Sequence, residues 1–213
     1  MPQENTKKVQ VAIVRAFVEQ QQGGNPAGVV LAADQLSAAQ KQAVAKAVGY
    51  SETAFVSASG VADFKLEFFT PTCQIAHCGH ATIAAFNLLQ AQGLIKQPNS
   101  SKETIDGIRS IWLRPNQAFM QQLAPVYQSV EVQHSQILQA LGLQNADLCA
   151  SPQLVDTGNA FVLVGVRDKA KLTAITPDFA LLEQLSQQLD LIGFYVFTTD
   201  TFLAGRAATS RMF

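Results

Sequence analysis

The segment HATIAAFNLLQAQG, His80 to Gly93, constrains the fold more than any other part of the chain. Ala81, Ile83, Ala84, Ala85, Phe86, Leu88 and Leu89 fall on every side of a 3.6-residue period and leave almost no polar face. A surface helix carries one apolar stripe, whereas a helix that is apolar all round must be covered all round. The preceding sequence supplies strands to cover it. VQVAIVRAF (Val9 to Phe17) is rich in β-branched residues, GVVL follows the turn signal GGNP (Gly23 to Pro26), and TAFVSA and DFKLEFFT are strand-like. In the last of these, Phe64, Leu66 and Phe68 alternate with Lys65 and Glu67, as in a strand with one face in a core. We therefore expect a central helix over residues 80–92 wrapped by strands. A smaller helix is expected between GVVL and TAFVSA, where Ser37 and Gln40 form a capping-box pair and Gly49 stands where a glycine cap belongs.

Beyond a polar stretch (Gln97 to Lys102), SIWLRP and FVLVGV read as strands and VEVQHSQILQALGL as a helix ended by Gly142. Thr176 and Pro177 supply a cap and first turn for DFALLEQLSQQL, and FYVFTT returns to strand. Order then matters more than any single match. GNPAGVVL (Gly24 to Leu31) and GNAFVLVG (Gly158 to Gly165) each place Gly-Asn at the head of an apolar strand. Each is followed by an amphipathic helix (37–48, then 178–189) and a further strand (53–56, then 194–198), and LEFFTP has a partner in TSRMF. We expect two similar halves, 1–105 and 106–213. The second would lack its central helix, so that the chain reads as a truncated form of a longer protein.

Fifteen Lys plus Arg against sixteen Asp plus Glu give a formal charge of -1, leaving no basic excess for a nucleic-acid backbone. The start, MPQENTKK, is too polar for a signal peptide, and apolar runs such as AFVLVGV are too short to span a membrane. Three cysteines fit free thiols in a reducing, cytoplasmic setting. The reactive groups concentrate in TPTCQIAHCGHATIAA. Cys78, Gly79 and His80 would lie at the N-terminus of the buried helix, where unpaired N–H groups favour an anion, Gly79 admits a ligand carboxylate and His80 can exchange a proton. On the residues alone, an isolated CGH reads first as a small buried Cys and a capping His. Glu52 in GYSETAFV reads either as an exposed carboxylate or as one held in a partly desolvated cleft with its pKa raised. Cys73, His77, Cys78 and His80 match no structural zinc spacing, and no metal is expected.

Taken in order, RAFVEQQQGGNPAGVVL, GYSETAFV, FFTPTCQIAHCGHATIAA, VDTGNAFVLVGVRD and GFYVFTTD resemble the phenazine-biosynthesis-like PhzF family over essentially Val9 to Phe213. The resemblance implies an α/β (α+β) fold like that of diaminopimelate epimerase: two similar halves, each a curved, mostly antiparallel sheet around a central helix. It implies that Glu52 is a general acid/base, that Ser51 is the site serine before it, and that Gly79 and His80 help hold the substrate. Asn25 and the pair Gly158 and Asn159 would line the cleft in Gly-Asn turns. The best-known member isomerises trans-2,3-dihydro-3-hydroxyanthranilate without cofactor or metal, and relatives are often homodimers. Gln74 stands where many relatives have Glu, and the family's DP-x-TGS segment does not follow the strand ending in Phe213. Three readings result. In the first, the chain is a cofactor-independent isomerase acting on a small cyclic or amino-acid-like carboxylate. In the second, it is an amino-acid racemase or epimerase using Cys78, since CGHAT also resembles proline racemases and diaminopimelate epimerases. In the third, it is a non-catalytic short form that dimerises or binds a partner.

Overall fold

The computed structural model describes residues 8–213, so the polar start, residues 1–7, lies outside the described residues. The chain divides into two compact units, Met1–Gln122 and Leu123–Phe213. That division comes after Gln122 rather than after residue 105, because hairpin strands beyond 105 stay bonded to the first sheet.

In the first unit, β1 (Ala12–Glu19) and β2 (Gln22–Val30) form an antiparallel hairpin. Its turn is Gln20-Gln21, both left-handed (φ 49 and 63), and the expected turn GGNP is part of β2. Two consecutive positive-φ residues match the right-handed strand twist that a two-residue hairpin requires. Gly24 is needed for close approach instead, since a β-carbon there would lie 2.6 Å from the Ala16 carbonyl oxygen. Helix α1 (Ala38–Val48) begins with the reciprocal Ser37–Gln40 capping box and ends on left-handed Gly49. The chain continues through β3 (Thr53–Ser57), β4 (Phe64–Phe69) and β5 (Gln74–Ile75) into α2 (Gly79–Ala91). Then come β6 (Asn99–Thr104), β7 (Gly107–Arg114) and β8 (Gln117–Met120).

The strand order is β1-β2-β3-β4-β6-β7-β8, with β5 on β4; β2–β3 and β4–β6 are parallel and the other pairs antiparallel. Both ends of this order, β1 and β8, reach α2, as do β2 and β3, so the sheet curls round the helix. Ala81, Ala84, Ala85, Phe86 and Leu89 of α2 pack on Val29, Ala54, Val56, Leu66, Phe68 and Ile111. Phe86 meets Phe64 edge-to-face at 5.9 Å. Full burial of side chains such as Phe86 or Leu89 contributes about 1.5–3 kcal/mol each. β3 is buried on both faces because Ala54 and Val56 face α2 while Phe55 packs on Ala45 of α1.

The polar stretch before SIWLRP is itself a strand. β6 turns Ser100, Lys102 and Thr104 into the protein, and Lys102 is wholly buried. No apolar alternation marks it, because its inward side chains pair with other polar groups.

The second unit contains β9 (Val126–Ser129), α3 (His134–Leu141), β10 (Leu148–Asp156), β11 (Ala160–Val166), α4 (Lys169–Ala174), α5 (Phe179–Leu189), β12 (Gly193–Thr198) and β13 (Thr209–Met212). Its sheet runs β13-β12-β11-β10-β9, with β11 and β12 parallel. The repeated order is present: an antiparallel pair (β1–β2, β10–β11), a helix (α1, α5), a parallel strand (β3, β12) and an antiparallel one (β4, β13). Val162, Val164, Phe194 and Val196 pack on Ile137 and Leu141 of α3 and Leu182 and Leu185 of α5. α5 starts after Asp178 rather than at Thr176-Pro177, because the Asp178 carboxylate accepts from the Leu181 N–H and caps it. Among the described residues of this unit no helix is apolar all round like α2, and among all described residues no helix is long and apolar enough to cross a membrane.

Candidate functional site

Gly49 stops α1, and four residues later the chain enters β3 at Thr53, leaving Glu52 at the junction. The Gly28 N–H of β2 donates to the Glu52 carbonyl at 3.1 Å and fixes its place. That close approach needs glycine at 28, since a β-carbon there would lie 2.7 Å from Thr53 Oγ1 and 3.1 Å from Val48 Cγ1. From β5 the chain turns into α2 with Cys78 at the cap in extended conformation, making no side-chain capping hydrogen bond. The first N–H groups of α2 lack a side-chain capping hydrogen bond, and those of His80 and Ala81 stand beside the Cys78 sulfur at the positive end of the helix dipole.

These two junctions bring Glu52, Cys78 and His80 together. Glu52 Oε2 lies 3.2 Å from His80 Nε2, and Cys78 Sγ lies 3.4 Å from His80 Nδ1. Only 19% of the Glu52 side chain and 12% of the His80 side chain is exposed. Although close, Glu52 Oε2 and His80 Nε2 lack hydrogen-bond geometry, and neither atom has a hydrogen-bond partner among the described residues. Burial lowers the His80 pKa below the usual histidine range, against the opposing pull of the Glu52 carboxylate and the Pro26 backbone. Burial pushes the Cys78 thiol up to about 12, with Glu52 adding to the rise and the Ala81 and His80 backbone opposing it. Both groups are therefore neutral near neutral pH. One donor atom from each of the three residues lies within 4.8 Å of the others, close enough for a cation to bridge.

Of the other expected residues, Ser51 is exposed just before Glu52. Asn25 is an exposed strand residue of β2 opposite Ala16, not a turn residue. Gly158 (φ 109) and Asn159 lie in the β10–β11 connection of the second unit, where the Gly158 N–H donates to Asp156 Oδ1 at 2.7 Å. Gly79 has no positive φ, and a β-carbon on it would meet only Met120 Cε, at 3.9 Å. Neither strain nor crowding explains glycine there.

Beneath the helix start lies a polar cluster that no sequence pattern indicated. Lys102 Nζ donates to Thr82 Oγ1 at 3.1 Å and lies 3.2 Å from His77 Nδ1. Thr82 donates to the Cys78 carbonyl at 2.6 Å. His77 Nδ1 is also 3.4 Å from Asp106 Oδ2, which Arg109 holds at 2.8 Å. Burial first, then Lys102, lowers the His77 pKa to about 4, and burial lowers that of Lys102 to about 8.

Residues 14–213 match the family model described as phenazine biosynthesis-like protein. The uncharacterized isomerase YddE of Salmonella typhimurium is 32% identical over 198 residues, covering 89% of this chain and 67% of that protein. The crystal structure of a phenazine biosynthesis protein of the PhzF family from Bacillus anthracis superposes with a TM-score of 0.87 at 28% identity, over 98% of this chain and 72% of that one. A predicted epimerase from Pseudomonas aeruginosa shares the fold, with a TM-score of 0.75 at 18% identity over 89% of this chain and 70% of that one.

Proposed function

From the premise that the chain belongs to the phenazine-biosynthesis-like PhzC-PhzF family, we propose that it is an isomerase that moves a proton on a small cyclic or amino-acid-like carboxylate, with Glu52 as the acid/base and no metal or cofactor. The observation that carries this reading is the buried pair of Glu52 Oε2 and His80 Nε2, 3.2 Å apart and without hydrogen-bond partners among the described residues. A protonated thiol at Cys78 can donate to His80 Nδ1, which leaves the ring proton on Nε2, facing Glu52. A small rotation of the ring would align that Nε2–H, now 3.2 Å from Glu52 Oε2 but not hydrogen-bonded to it, so that it donates to the carboxylate while the carboxylate takes a proton from carbon. The open Cα of Gly79 and the uncapped N–H groups of α2 suit a substrate carboxylate. Cys78 is poorly suited to act as the base itself, since burial holds its thiol up to about 12.

The test is solvent deuterium incorporation. A panel of small cyclic and amino-acid carboxylates, including trans-2,3-dihydro-3-hydroxyanthranilate, is incubated with the protein in heavy water and read by mass spectrometry. We expect carbon-bound deuterium in at least one member, and a loss of about 100-fold or more in the Glu52→Gln variant. Exchange that survives Glu52→Gln but is lost on alkylation of Cys78 would transfer the role to the thiol.

A further inference from the structure

Glu52, Cys78 and His80 account for the proton chemistry and leave the cluster beneath them without a role. Lys102 is wholly buried, its ammonium directed at Thr82, at His77 and at the face of Phe68, 5.2 Å from the ring centroid. An apolar side chain would fill this position without taking an ion out of water, so packing alone does not account for a lysine here. Because an ammonium can only donate, His77 Nδ1 accepts from it, and the ring is neutral. The charged groups around Lys102 are Asp106 in the β6–β7 turn and Arg109 on β7, with Cys78 at the α2 cap and His77 before it as the neutral titratable neighbours. β4 contributes the Phe68 ring. Two cations therefore stand against one carboxylate, and the excess positive charge sits under the start of α2.

We propose that Lys102 is a positioning residue for this centre: through Thr82 it anchors the Cys78 carbonyl, and so the helix turn that carries Cys78 and His80, and it imposes its positive charge on them. The proposal rests on the Glu52 proton-shuttle reading only for what the centre does. Its link to the centre is a continuous hydrogen-bonded path, Lys102 to Thr82 at 3.1 Å and Thr82 to the Cys78 carbonyl at 2.6 Å. The charge acts on a thiol that lies 3.4 Å from His80.

Cys78 itself is the reporter. With Cys73→Ser and Cys149→Ser as background, both being exposed free thiols, alkylation by iodoacetamide reads the Cys78 thiolate. Below a thiol's pKa the rate rises about tenfold per pH unit. In the otherwise native protein we expect the slope of log rate against pH to fall below unity across about pH 7.5–9. In that range Lys102 sheds its proton (to about 8) and the thiol loses a neighbouring cation. Lys102→Met removes the bend, slows alkylation near neutral pH by about threefold or more and converges on the parent rate above the bend. A purely structural role would change the melting temperature and leave the slope at unity. Should Lys102→Met fail to fold, the parent curve decides the matter, since a straight line of unit slope overturns the proposal without any variant. Alkylation needs no turnover, so failure of the deuterium test would remove the Glu52 reading and leave this one standing.

Discussion

Lys102 makes the stability of the first unit depend on pH in a way that can be worked through from the structure. Burial lowers its pKa from an ordinary 10.5 to about 8, partly offset by Asp106. Below about pH 8 both folded and unfolded chains carry the proton, and the full cost of the buried ion is present. Between about 8 and 10.5 the folded protein has shed the proton while the unfolded chain keeps it, so unfolding takes up a proton and stability rises with pH. Above 10.5 neither form is charged. Two and a half pH units at 1.36 kcal/mol each amount to about 3 kcal/mol. The chain's one tryptophan, Trp112, lies on β7 of this same unit and reports its urea unfolding by fluorescence. The quantity to follow is the difference between the native chain and Lys102→Met, which isolates the contribution of this one side chain. That difference should move in favour of the native chain by about 3 kcal/mol across the window, a relative shift of about 1–3 M in urea midpoint. His77, lowered from 6.5 to about 4, gives a second rise between those two values in the native chain. In Lys102→Met that rise should begin at higher pH, because one of its causes is gone. A difference curve that stays flat across the alkaline window would refute a buried, charge-bearing Lys102.

Two glycines give complementary predictions. Gly79→Ala should leave the melting temperature within a few degrees of native, because the added methyl meets only Met120 Cε at 3.9 Å, yet should lower substrate exchange by about tenfold or more through KM; a large stability loss with normal exchange would contradict a carboxylate site there. Gly28→Ala should cost about 1–3 kcal/mol and impair exchange as well, since the added carbon falls 2.7 Å from Thr53 Oγ1 beside Glu52; native urea midpoints would show that β2 and β3 do not need this contact.

The sequence made the apolar scaffold legible because its signals are local. Alternation in Phe64–Phe68, the Ser37–Gln40 box and the all-round apolar pattern of α2 each fix an element within a dozen residues, and all appear in the structure. Glu52 and CGH could be singled out locally as reactive groups, but their convergence follows only from the family resemblance, because it depends on β2–β3 pairing and on where α2 starts. The Lys102 cluster was invisible for a different reason. Only His77 stood out, and as a possible metal ligand; Lys102, Asp106 and Arg109 lie on β6, a turn and β7, and each resembles an ordinary surface residue until the fold removes water from it. Gln20-Gln21 likewise carries no glycine or asparagine to advertise a two-residue hairpin turn, which is why GGNP drew the assignment instead.

The chemistry and the wrapping of α2 have a common cause. A helix covered by strands along its length still leaves its first N–H groups without intrahelical acceptors, and here no side chain at Cys78 takes them. With most of the helix shielded from water, that end keeps its positive character in a setting of weak screening. The fold answers it on two sides: Glu52 lies against His80 of the first turn, and Thr82 ties the cap carbonyl back to Lys102. The first of these suits an anionic substrate and a carboxylate base. The second adds charge of the same sign as the helix end, which lowers stability. Taken together, they make the start of α2 a place where stability is given up for electrostatic potential, which is what the proposed proton abstraction from carbon would require.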